Sequence, residues 1–105
     1  MKWQIGFEYE CLMPYNFETT RRRVSKLVKG AKVIDDCSIK PKKGYVPTEI
    51  ITPPLTEGRA KRLMLDMHSF LKEQGAITTK SCGFHINMSF NNSSQKFNPS
   101  LLVAA

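Results

Sequence analysis

Cysteine is scarce and odd in number: Cys11, Cys37 and Cys82 are all that the 105 residues contain, and no pair has CxxC spacing. No disulfide framework is expected, and a reducing compartment is. Acidic residues are few, nine against sixteen Lys and Arg, so the net charge is +7. That balance suits anionic partners such as nucleotides, nucleic acid or an acidic protein surface, without choosing among them. No apolar run approaches the ~20 residues of a membrane span. MKWQIGFEYE lacks the hydrophobic core of a signal peptide, and the protein is therefore expected to be soluble and cytoplasmic, with no membrane partner. Internal repeats and low-complexity tracts are also lacking. A chain of this length holds one domain and one core.

What is present is hydrophobic periodicity. In WQIGFEYEC, Trp3, Ile5, Phe7, Tyr9 and Cys11 alternate with polar residues or glycine, the period of a half-buried strand. After Pro14, Asn16 is placed to cap a helix. Its apolar stripe is Phe17, Val24, Leu27 and Val28, its outer face carries Arg21, Arg22, Arg23, Lys26 and Lys29, and Gly30 suits the C′ position. AKVIDDCSI predicts a second strand, KPKKGYVP a loop, and TEIIT a third strand stopped by PPL. Thr56 can cap a second helix striped by Ala60, Leu63, Met64, Met67, Phe70 and Leu71 and closed by Gly75. CGFHINMSF predicts a fourth strand. Residues 91–105 read as a polar loop, NNSSQKFNPS, followed by LLVAA as the start of a cut-off helix.

The order β, α, β, β, α, β predicts an α+β domain over residues 1–90. It is the ferredoxin-like arrangement: a four-stranded antiparallel sheet ordered 4-1-3-2 with both helices on one face. The other face is then free to be polar. By strand phase it carries Gly6, Glu8 and Glu10, then Glu49 and Ile51, then His85 and Asn87, with Asp36 and Ser38 from the second strand. Polar alternation is ordinary for any half-buried sheet. The distinctive feature is sign, because the centre of this face is acidic in a protein of net charge +7. Clustered carboxylates repel unless a proton or cation intervenes. Oxygen-rich sites suit Mg2+ or Mn2+, and an imidazole ligand favours Mn2+.

GFEYE, DCS within IDDCSIKP, TEIITPPL and CGFHIN, in this order and spacing, resemble the amidoligase family of the carboxylate-amine ligase superfamily, related to glutamate-cysteine ligase and glutamine synthetase. The resemblance spans residues 5 to about 89. It implies ATP-dependent formation of an amide or isopeptide bond through an acyl phosphate, with ATP and Mg2+ or Mn2+ as cofactors and a small-molecule or peptide substrate. Matched residue by residue, Glu8, Glu10, Glu49 and His85 would be the catalytic and metal-binding set. Asp36, Ser38 and Asn87 would assist in positioning metal, nucleotide or substrate. The family's second histidine is Asn87 here, which keeps a donor and an acceptor but is a poorer metal ligand. Family members also continue past this point, so the chain corresponds to an N-terminal half, either a fragment or a free-standing piece.

The remaining motifs have weaker claims. Lys43, in KPKKGY, could cover nucleotide phosphates from a lid, or could be part of a soluble turn. The arginine run could bind nucleic acid, non-specifically and with strong salt dependence, or be a solvated face. RNA reading through the sheet needs aromatic residues on the open face, whereas Phe7 and Tyr9 phase toward the core. Cys82 and His85 have zinc-like spacing but point to opposite faces of a strand. The Met64 and Met67 stripe reads as core, with His68 a partly exposed neighbour. The alternative function is a catalytically inactive truncated relative, of phage or mobile-element type, that binds or inhibits a host protein or nucleic acid. A homodimer sharing an edge strand is also conceivable.

Overall fold

The chain runs β1 (Trp3–Met13), α1 (Phe17–Leu27), β2 (Lys32–Asp35), β3 (Val46–Ile51), β4 (Leu55–Thr56), α2 (Glu57–Glu73), β5 (Phe84–Phe90) and β6 (Ser100–Leu101). These elements come from a computed structural model, which describes residues 3–36, 38–80, 82–90 and 100–101. The mixed class and the two helices agree with the sequence. The sheet is larger than expected. Its order is β2-β3-β1-β5-β6, with β4 paired to β1 off that path, and this differs from a four-stranded 4-1-3-2 sheet. The four expected strands keep their neighbours, since β3 and β5 flank β1 and β2 lies outside β3. The two short strands are additions, and all pairs are antiparallel.

Two-residue strands carry no periodicity, which is why the sequence does not announce them. β4 exists because β1 outruns β3. Residues Glu8 to Met13 pair with β3, and Gln4 and Ile5 pair with Thr56 and Leu55. Thr52 serves the junction, its N–H donating to the Phe7 carbonyl at 2.9 Å and its hydroxyl accepting from the Phe7 N–H at 2.8 Å. The β1 ladder thus stays satisfied where one partner strand gives way to the next. At the far edge, Ser100 and Leu101 pair with Asn87 and Ile86. Leu101 is therefore a strand residue where a helix start was expected. The rest of LLVAA and the polar stretch 91–99 lie outside the described residues.

Both helices lie on one face, as the period of β1 requires. Phe7, Cys11 and Met13 point to the same side and form one core with Val33, Ile50, Val24, Val28, Ala60, Leu63 and Met67. Burying each large apolar side chain contributes ~1.5–3 kcal/mol. Tyr9 stacks on Phe84 with ring centres 4.8 Å apart, and Phe84 stacks on Phe7 at 5.6 Å. These aromatics are therefore spent on packing.

The helix ends differ in detail from expectation. Asn16 caps α1 through its side-chain oxygen, which accepts the Thr19 N–H at 2.8 Å. The helix stops at Leu27 because Val28 is extended and buried; Gly30, with φ 87°, lies in the following turn and is not C′. Thr56 occupies the N-cap of α2 without a side-chain capping bond, and it is paired to Gln4 at the same time. Gly75, with φ 78°, closes α2 as expected. Two residues of the arginine run are structural: Arg21 donates to the Val33 carbonyl at 3.4 Å, and Arg23 donates to Gln74 at 2.6 Å while lying 4.3 Å from the Tyr15 ring centre. Met64 departs from the core stripe at 39% exposure, whereas Met67 is fully buried.

Candidate functional site

The strand register brings the polar residues together on the face opposite the helices. Glu10 stands directly across from Glu49, Glu8 across from His85, Gly6 across from Asn87, and Ile34 across from Glu49. Directly opposed residues of an antiparallel pair project to the same side, with Cβ atoms ~4.5–5.5 Å apart. Two glutamates in that relation repel each other unless something lies between them.

Asp36 reaches this pair by a different route from the one expected. β2 ends at Asp35, so Asp36 and Ser38 are not strand residues. They form a turn in which the Ser38 N–H and hydroxyl both donate to Asp36 Oδ1, at 3.0 and 2.5 Å. An Asp hydrogen-bonded to the backbone two residues on is a local alternative to the ladder, and it ends the strand. The turn delivers the carboxylate to the face: one oxygen each from Glu10, Asp36 and Glu49 lies within 4.8 Å of the others. Asp36 Oδ2 is buried, and no N–H or hydroxyl group of the described residues donates to it, which leaves it to a proton on a neighbouring glutamate.

The titration behaviour follows from this crowding. Burial, then the hydrogen bond to Asp36 and its charge, and the charge of Glu49 push the Glu10 carboxyl up, while His85 pulls it down. Burial, then the charges of Glu8 and Asp36, raise Glu49 as well. Burial would raise Asp36, but hydrogen bonds from Ser38, Glu10 and Glu49 hold it below its ordinary value. A charged Asp36 is thus flanked by glutamates that retain protons more readily than usual. Without a cation, protons take up the repulsion.

The other expected residues are distributed around this trio. Glu8 Oε2 accepts from Asn87 Nδ2 at 2.7 Å, so Asn87 holds Glu8 in place. His85 shares the face but is not in the tightest group, which draws on Asp36 instead. Lys43 is exposed in the turn Lys42–Tyr45, where the Tyr45 N–H meets the Lys42 carbonyl at 3.0 Å and Gly44 has φ 84°; no interaction found for the trio involves it. Cys82 lies before β5, 3.7 Å from the Thr79 hydroxyl.

Gly83 is a contributor that residue chemistry alone does not reveal. Its carbonyl accepts the Glu10 N–H at 3.0 Å. A Cβ at this position would stand 2.9 Å from Glu10 Oε1 and 3.5 Å from His85 Nε2. The glycine therefore leaves the space that the Glu10 carboxylate occupies.

A family model described as "Putative amidoligase enzyme" matches residues 18–102. The chain belongs to this amidoligase family. The match contains Asp36, Ser38, Lys43, Glu49, Gly83, His85 and Asn87. Glu8 and Glu10 precede it and join the others through the pairing of β1 with β3 and β5. No curated protein and no solved structure matches the chain. Among the described residues of this amidoligase-family chain, no helix is long and apolar enough to cross a membrane.

Proposed function

We propose that the acidic face holds Mg2+ or Mn2+ against the phosphates of ATP, for ATP-dependent formation of an amide or isopeptide bond. The observation that carries this reading is the carboxylate trio of Glu10, Asp36 and Glu49 with mutual separations within 4.8 Å. The donor set fits. Mg2+ binds oxygen at ~2.0–2.1 Å and so sets opposite ligands ~4.2 Å apart, about half an ångström inside that limit. Asp36 Oδ2 is buried, and where Glu10 and Glu49 are ionised they have no proton to give it, so a cation would compensate it.

Glu10, Asp36 and Glu49 are the closest ligand set and Glu8 is a further ligand on the same face, with Ser38 orienting Asp36 and Asn87 orienting Glu8. His85 serves metal or phosphate, and Lys43 offers a cation to the phosphates from its turn. When bound, the metal neutralises charge on the transferring phosphoryl group. The acid's carboxylate oxygen takes the γ-phosphoryl group and ADP leaves. The amine lone pair then attacks the acyl carbon, the bond to phosphate breaks, and the amine's surplus proton is lost.

Isothermal titration of ATP with Mg2+ or Mn2+ into the intact chain, Glu8→Gln and Glu49→Gln tests the reading. Binding by the intact chain that weakens about tenfold or more in the variants is expected. No binding by the intact chain would sink it.

A further inference from the structure

A cavity of about 530 Å3 opens beside the acidic face, where the chain leaves the edge of β1. Glu10 is bonded to Gly83 and Leu12 to Ile77, and Thr78, Thr79 and Cys82, which fall between those two contacts in sequence, line the cavity. The volume lies within the ~300–1,000 Å3 range of small-molecule sites.

Its walls are Tyr9 and Cys11 of β1, Met64 and Leu71 of α2, and Phe84 of β5. Burial pushes the Cys11 thiol up to about 12, so it is an apolar wall and not a nucleophile. The more polar lining residues are Glu10, His68, Thr78, Thr79 and Cys82; among the described residues the lining includes no Lys or Arg. Glu10 and Gly83 belong both to this cavity and to the acidic site.

We propose that this cavity seats the amine co-substrate, a primary amine carried on an apolar chain or ring. The proposal rests on the ligase reading above and goes further by dividing the two substrates. An acid needs a cationic anchor, which the described lining lacks. An ammonium group finds the Glu10 carboxylate at one end; the metal trio uses one Glu10 oxygen, and the other takes a proton from the ammonium, freeing the lone pair before the attack. Its apolar body meets Met64, Leu71 and Phe84. The amine thereby arrives at the border of the carboxylate site from the helix side of the sheet, leaving the open face to nucleotide and acid. The exposure of Met64, anomalous for a core stripe, is explained as a wall of this seat.

The test is an NMR titration of the 15N-labelled chain at neutral pH with 2-phenylethylamine, 2-phenylethanol and 3-phenylpropionate. Saturable shifts at Thr79, Gly83 and Phe84 are expected, with the amine binding tightest and the acid weakest. Met64→Trp, a change at a partly exposed position, should weaken the amine about tenfold or more by filling the cavity. Glu10→Gln should remove the preference for amine over alcohol. Absence of saturable shifts, equal binding of the three probes, or indifference to Met64→Trp overturns the assignment. ATP with Mn2+ is titrated separately: nucleotide binding without amine binding overturns the cavity and leaves the metal site, whereas amine binding without nucleotide keeps the cavity and removes the ligase reading.

Discussion

Gly83→Ala separates site geometry from fold stability. The added Cβ would lie 2.9 Å from Glu10 Oε1, whereas ordinary carbon contacts lie at ~3.5–4.0 Å. The carboxylate must retreat by roughly half an ångström or more. Because that oxygen ends a flexible side chain, the retreat costs the fold little. Gly83 is not among the glycines with positive φ, so alanine suits its backbone and can add ~0.4–1 kcal/mol by restricting the unfolded chain. The retreat moves the carboxylate of one of the three clustered residues, and displaced positioning groups around a metal typically cost ~10–100-fold in affinity. The expected result is a melting temperature unchanged or slightly raised, with Mn2+ affinity down by that factor, read by calorimetry and by thermal unfolding of the same samples. Unchanged Mn2+ affinity in a folded Gly83→Ala protein would refute the claim that this glycine makes room for a metal-binding Glu10.

The metal-free chain should grow more stable as pH is lowered from neutral toward the ordinary glutamate value of 4.5. Glu10 and Glu49 have raised folded values, so the native state binds more protons in that window and stability falls as pH rises through it. Asp36, lowered in the fold, opposes this only below its ordinary 3.8, where its contribution is lost as pH falls. Added Mn2+ should reverse the slope, since metal and protons compete for the same oxygens; melting temperatures at several pH values, with and without Mn2+, check both signs. Asn16→Ala should cost ~1 kcal/mol by removing the side-chain acceptor for the Thr19 N–H, read from denaturant midpoints, with metal affinity unaltered because the cap lies outside the carboxylate group.

The parts legible in the sequence are those carried by period. Two-residue alternation put Phe7, Tyr9 and Cys11 on one side of β1 and Glu8 and Glu10 on the other, and the register bears that out. Neighbouring strands then placed Glu49 and His85 on the same face. Asp36 shows where periodicity stops being informative. Strand phase assigned it to this face as a ladder residue, yet it arrives through a turn built by Ser38 after β2 has ended. The spacing D-x-S contains that turn, but only in the local chemistry of a carboxylate accepting from a hydroxyl and an N–H two residues on.

The short strands and the cavity were hidden for related reasons. β4 is two residues behind a proline pair, and it exists because β1 is longer than β3, a property of the pair and not of either segment. The cavity is lined by Thr78, Thr79 and Cys82, which fall between the contacts of Ile77 and Gly83 with β1, and no alternation reports such a gap. Its one trace was misassigned: Met64 follows the helical stripe and was read as core, yet 39% of its surface is exposed. Gly83 joins the two regions. On one side it leaves space for a carboxylate, and on the other it lines the cavity. A glycine directly before β5 therefore permits an acidic site and an apolar chamber to meet across one strand edge, and it is on that juxtaposition that the proposed joining of an activated acid to an amine rests.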